Sequence, residues 1–123
     1  MSEQAIQSVV IPIGAQAGTV NKGAWRVPAD DSAFGGVTLL NAYILSGGAA
    51  TSVLQLNNFG TALGTTIVTN IGTLNATLVA NVKQAISITT AYQATGTWIG
   101  LSTGAGGSLD ALTNLILEFK WGK

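Results

Sequence analysis

Val37-Thr38-Leu39-Leu40-Asn41-Ala42-Tyr43-Ile44-Leu45 is the stretch from which the fold of this chain is read. Gly35-Gly36 precedes it and Gly47-Gly48 follows it, so it stands between two breaks in the backbone pattern. A strand here places Val37, Leu39, Tyr43 and Leu45 on one face and Leu40, Ala42 and Ile44 on the other. A strand apolar on both faces is either central in its sheet or covered from outside by another subunit.

Working outward, the same texture repeats in short units. Thr51 to Asn57 sets Leu54 and Leu56 against Val53 and Gln55, and Asn57-Asn58-Phe59-Gly60 reads as a turn. Thr65 to Ile71 and Thr77 to Lys83 alternate in the same way, and Ile86 to Thr90 and Thr97 to Ser102 add two more strands. Leu112 to Trp121 closes the chain with Leu115, Leu117, Phe119 and Trp121 on one side. Helix competes in two places. Leu74 to Ala85 carries Leu74, Leu78, Val82 and Ala85 on one helical face, against Thr, Val and Asn content that disfavours helix. Ser108 to Leu112 offers one helical turn with Ser108 as its N-cap.

Period-two alternation with turn residues every 8–12 positions or so, roughly eight strands in all, predicts an all-β, single-domain antiparallel β-sandwich, jelly-roll-like or immunoglobulin-like.

Residues 1–22 are set apart as an N-terminal strand or arm, with residues 23–123 as the sandwich domain. Ala5 to Ile13 suits a strand, but Pro12 cannot donate to a ladder, so the segment belongs at a sheet edge or in an extended arm reaching a neighbour. Gly14-Ala15-Gln16-Ala17-Gly18 reads as a joint, and Trp25-Arg26-Val27-Pro28 as a short extended piece.

Composition narrows the function. The 123 residues include no His and no Cys, and charged residues are 8% where about 25% is usual. The commonest general base, thiol nucleophiles and thiolate metal sites are thereby excluded. Net charge is zero without a basic cluster, which removes the footprint of a nucleic-acid binder. Ten charges over a folded surface of roughly 6,200 Å² amount to about one per 600 Å². Such a surface tends to associate. No signal core or membrane-spanning run is expected, so synthesis is assigned to a cytoplasm.

The carboxylates Glu3, Asp30, Asp31, Asp110 and Glu118 form one local pair, Asp30-Asp31. Ca²⁺ takes six to eight oxygens, and this pair lacks neighbours to complete a shell, so it reads as a polar turn. Lys22 and Lys83 have no serine motif to activate, and Gly104-Ala105-Gly106-Gly107 lacks the remainder of a phosphate-binding loop. The expectation is no enzyme, no cofactor and no metal. The aromatics Trp25, Trp98 and Trp121, with Tyr43 and Tyr92, among Asn, Gln and Thr, leave a sugar-stacking surface open as an alternative to core packing. Trp121 continues an apolar strand face and is expected in the core. Trp98 alternates away from Ile99 and Leu101 and is the expected exposed or subunit-facing ring.

The chain resembles the small capsid decoration, or cement, proteins of tailed phages. The resemblance lies in the leading arm, the Trp25–Pro28 segment, Gly35-Gly36-Val37-Thr38 opening a long strand, and the Gly60-Thr61-Ala62-Leu63-Gly64 turn. To these are added the hairpin from Trp98-Ile99 to Asp110 and a closing strand ending in Gly122-Lys123. It implies a β-rich homotrimer on the exterior of a virion, made in the host cytoplasm, that clamps neighbouring subunits of the major capsid protein. Partner contacts are expected from Ile6, Val9, Val10, Ile11 and Ile13 of the arm and from Trp25 and Trp98. The alternative is a carbohydrate-binding module or the receptor-binding head of a phage fibre.

Overall fold

The computed structural model describes residues 6–13, 16–17, 22–28, 35–48, 54–62, 67–74, 78–103, 108–109 and 113–122. Those residues form strands and turns without a helix. The strands are β1 (Gln7–Pro12), β2 (Gln16–Ala17), β3 (Lys22–Arg26), β4 (Val37–Leu45), β5 (Leu54–Asn58), β6 (Thr69–Leu74), β7 (Gln84–Ala85), β8 (Ser87–Ile88), β9 (Tyr92–Gln93), β10 (Trp98–Thr103), β11 (Ser108–Leu109) and β12 (Asn114–Trp121). All pairings among them are antiparallel. One five-stranded sheet runs β1-β12-β4-β7, with β9 also on β4; the other runs β3-β10-β5-β6-β8. β2 and β11 pair separately.

The two sheets share one core. Ile11, Val37, Leu39, Ala42, Ile44, Leu115, Leu117 and Phe119 come from the first sheet; Leu54, Leu56, Ile71, Ile99 and Leu101 come from the second. Fully burying a single aliphatic side chain contributes about 1.5–3 kcal/mol, so this shared layer dominates the stability of the arrangement.

β4 is central in its sheet, one of the two placements its sequence allows, and within the chain it buries one face only. Asn41 pairs with Glu118 and Leu39 with Phe119, which leaves Leu40 as an extra residue in a bulge. The bulge shifts the alternation by one residue. Val37 and Leu39 before it, and Ala42 and Ile44 after it, therefore all turn inward. Leu40 is left 38% exposed. Strict alternation through the bulge put Leu40 with Ala42 and Ile44; the inserted residue overturns that grouping.

Other expectations shift for local reasons. The strand expected at Thr65–Ile71 is found at Thr69–Leu74, leaving Ile67 and Val68 exposed before it. Thr77–Lys83 is neither a full strand nor a helix over its described residues. Leu78 is buried, but Ala80-Asn81 is a turn with Asn81 at φ 62°, and its N–H donates to the Ser46 carbonyl at 2.7 Å. Asn tolerates that left-handed backbone better than most residues. Ser108–Leu109 is a strand on Gln16–Ala17, where a helical turn and a joint were expected. Asn57 and Asn58 end β5, and the turn follows at Gly60-Thr61.

Gln7–Pro12 is an edge strand of the domain itself, paired along its length with β12. Ile13 donates its backbone N–H to the Thr113 carbonyl at 3.0 Å. By alternation Gln7, Val9 and Ile11 also turn their backbone groups to β12, while Ser8, Val10 and Pro12 turn theirs to the other edge, which no described strand pairs. Pro12 thus costs no ladder bond, which is why a proline is tolerated here.

Candidate interaction surface

The residues expected at a partner interface separate into two groups. Ile11 and Ile13 are buried in the chain's own core, and Val9 packs against it. Trp25 is also committed inward: it pairs with Ile99 across β3 and β10 and packs on the core, with its ring centroid 5.1 Å from that of Phe119. Phe119 in turn meets Trp121 edge to face at 5.5 Å. Val9, Ile11 and Ile13 are taken up because β1 is a member of the first sheet, which sends alternate residues into the interior, and Trp25 because β3 is a member of the second. Ile6 (65% exposed) and Val10 (56%) remain on the surface. Trp98 is half-buried and faces away from buried Ile99 and Leu101, the direction its alternation predicts.

The outer faces of the two sheets differ in chemistry. On the first sheet, Val10 pairs with Ile116, Ile116 with Tyr43 and Tyr43 with Ala85, so one row of four strands is apolar. Exposed Lys83 holds its ammonium 4.3 Å from the centre of the Tyr43 ring, and its aliphatic stem extends the row. The neighbouring row carries Ser8, Glu118 and Asn41, with Asn41 donating from Nδ2 to Glu118 Oε1 at 3.0 Å. On the second sheet the corresponding row is Ser102, Gln55, Thr73 and Ser87, which is polar throughout. Buried Asn57 donates to Ser102 Oγ at 2.7 Å and accepts from Asn70 Nδ2 at 3.0 Å on that side.

A recess of about 250 Å³ opens at one end of the molecule, where Asn58 of β5 and Gln93 of β9 meet between the sheets. Asn58 donates from Nδ2 to Gln93 Oε1 at 2.7 Å and to Thr97 Oγ1 at 2.9 Å, and its Oδ1 accepts from the Gly60 N–H at 2.7 Å. Gln93 donates from Nε2 to the Thr90 carbonyl at 2.8 Å. Val68, Thr69, Tyr92 and exposed Ala94 also line it. Tyr92 is fixed by its hydroxyl donating to the Gly35 carbonyl. Gly36, at φ +101°, lets this segment close on β4, since a Cβ there would strike the Gln93 carbonyl oxygen.

Of the recess, the sequence marks only the Tyr92 ring: Asn57-Asn58 reads as a turn, and Gln93 has no motif around it. The available signal was a pair of amides directly following the Leu54 and Leu56 strand pattern. Asp30, Asp31, Asp110 and Glu3 lie outside the described residues, and no group of three metal-ligating side chains occurs among the described ones. No protein-family model matches the chain, and no curated protein matches it.

Proposed function

We propose that the protein is a virion structural protein, a capsid decoration or cement protein that oligomerises on a phage head and stabilises it by clamping neighbouring subunits of the major capsid protein. The reading takes the fold as jelly-roll-like, the oligomer as a trimer, and the action as binding without catalysis or cofactor. The observation that supports it best is the apolar row Val10–Ile116–Tyr43 on the outer face of the first sheet, beside the edge of β1 that no described strand pairs. An apolar row on a chain with only 8% charged residues suits a large contact with a fixed partner. Such an edge adds main-chain donors and acceptors for a strand from that partner. The N-terminal segment would then act as the arm, through its exposed side, Ile6, Ser8 and Val10, while Val9, Ile11 and Ile13 hold it to the domain.

The test is co-sedimentation of purified protein with undecorated heads assembled from the major capsid protein of the same genome. Saturable binding that raises the melting temperature of the heads is expected. Failure to bind, or binding without stabilisation, overturns the reading. A second reading, sugar binding, is favoured by the recess at Asn58 and Gln93.

A further inference from the structure

Gln93 is 3% exposed and lines the recess, yet only part of its amide is satisfied. Its Oε1 accepts from Asn58, and one Nε2 hydrogen goes to the Thr90 carbonyl. The other Nε2 hydrogen has no partner among the described residues. A buried donor without a partner is costly and calls for an acceptor from outside the protein. Asn58 is held rigid by its three bonds, and Thr97 Oγ1 both accepts from Asn58 and donates to the Ala94 carbonyl at 2.7 Å. The polar floor is therefore preorganised, which lowers the cost of binding.

Among the described residues the lining carries no charged side chain, so nothing there selects an anion or a cation. At the mouth stands Val68, 65% exposed, an apolar surface beside hydroxyls and amides. Gly60 leaves room for it: a Cβ at Gly60 would come within 3.0 Å of the Val68 methyl. The volume, about 250 Å³, corresponds to roughly eight waters at ~30 Å³ each and is smaller than the ~300–1,000 Å³ of drug-sized sites. A neutral ligand of one ring is the right size. It must offer hydroxyl oxygens to an amide donor and C–H surface to valine and tyrosine.

The geometry points to a monosaccharide-sized carbohydrate site in this recess, with Gln93 Nε2 donating to a ring hydroxyl, Thr69 and Thr97 at hydrogen-bonding positions, and Val68 with the Tyr92 ring against the apolar face of the sugar. The site is on the end of the molecule, separate from the apolar row of the first sheet, and does not depend on attachment to a head.

The experiment is two-dimensional amide NMR of the full chain titrated with D-glucose, D-galactose and N-acetyl-D-glucosamine, with glycerol as the control polyol. At least one sugar is expected to shift the Gln93 side-chain amide and the Thr69 and Thr97 backbone amides in a saturable way. The expected dissociation constant is about millimolar, the weak range for so small a ligand. Ala94→Trp, at an exposed position on the rim, should abolish the shifts at unchanged melting temperature. Gln93→Met should weaken binding at least tenfold; if that variant does not fold, the Ala94→Trp result decides. No saturable shift from any of the three sugars overturns the site. So do shifts centred elsewhere, such as the Trp98 indole, equal shifts from glycerol, or binding that survives Ala94→Trp.

Discussion

Trp25 and Phe119 join the two sheets: their ring centroids stand 5.1 Å apart at an interplanar angle of 38°, one on β3 and the other on β12. Tilted pairs at this spacing contribute about 0.5–1.5 kcal/mol beyond the area they bury. Phe119 also carries Trp121 against its edge, so it is the middle member of a cluster that closes one side of the core. Phe119→Ala is expected to cost about 3–5 kcal/mol, the range for a buried phenylalanine. Trp121→Ala should cost less, because Trp121 is only half-buried. Urea unfolding of both variants checks the order; equal losses would show that Phe119 is not the hub of the cluster.

Gly72 and Gly35 predict two different kinds of damage. At Gly72 a Cβ would run into the Ser87 backbone carbonyl, so alanine must push β8 away from β6. Overpacking of this sort costs typically about 1–3 kcal/mol. At Gly35 a Cβ would meet nothing within 4 Å, and only the backbone at φ +65° resists, by about 1–2 kcal/mol. The two can therefore be alike in total stability and still differ in place. Hydrogen exchange at residues 72–73 and 87–88 should accelerate in Gly72→Ala and stay at the wild-type rate in Gly35→Ala.

The fold was legible where packing alone decides it. β4 and β12 fall where their apolar alternation places them, because both are long and sit at the centre of a sheet. Sequence reading failed where a single residue changes the phase or where pairing is two residues long. The extra Leu40 inverts the alternation in the middle of β4, and no composition rule marks it. β7, β9 and β11 each pair with one neighbour among the described residues and carry too few residues to show a period, whereas β8 (Ser87–Ile88) lies inside the strand expected at Ile86–Thr90. For the residues expected at an interface, only the chemistry was legible in the sequence. Their apolar character was plain, but which of them face inward depended on β1 joining β12, a contact more than a hundred positions apart in sequence. The recess was not legible, because it is assembled from two sheets.

Asn57 is fully buried, with Nδ2 bonded to Ser102 Oγ at 2.7 Å and Oδ1 to Asn70 Nδ2 at 3.0 Å. Ser102→Ala removes one partner and leaves a buried N–H unsatisfied, at a cost of about 1–3 kcal/mol. Asn57→Ala in the Ser102→Ala background should then cost less than in wild type, by about 0.5 kcal/mol or more. A double-mutant cycle by denaturant unfolding measures this. Additive losses would mean that the Asn57–Ser102 bond contributes no net stability.

Head attachment, if the proposed function holds, should depend on the exposed side of β1 and tolerate salt. Deleting the N-terminal segment is a poor test, because it also removes Ile11 and Ile13 from the core and a whole strand from β12. Val10→Asp is the sharper change: Val10 is outward, and a surface substitution of this kind usually shifts stability by no more than about 0.5 kcal/mol. It places a carboxylate beside Ile116 in the apolar row, where a partner would have to desolvate it. Surface ion pairs contribute only about 0–1 kcal/mol and fade with salt, whereas each buried aliphatic side chain contributes roughly 1.5–3 kcal/mol. Apolar contact should therefore carry attachment. Wild type is expected on the heads at low salt and at about 1 M salt alike, while Val10→Asp binds poorly at both with its melting temperature preserved. Release of wild type by salt alone would transfer attachment to charges such as Arg26 and Lys83, and wild-type binding by Val10→Asp would remove the first sheet's outer face from the contact.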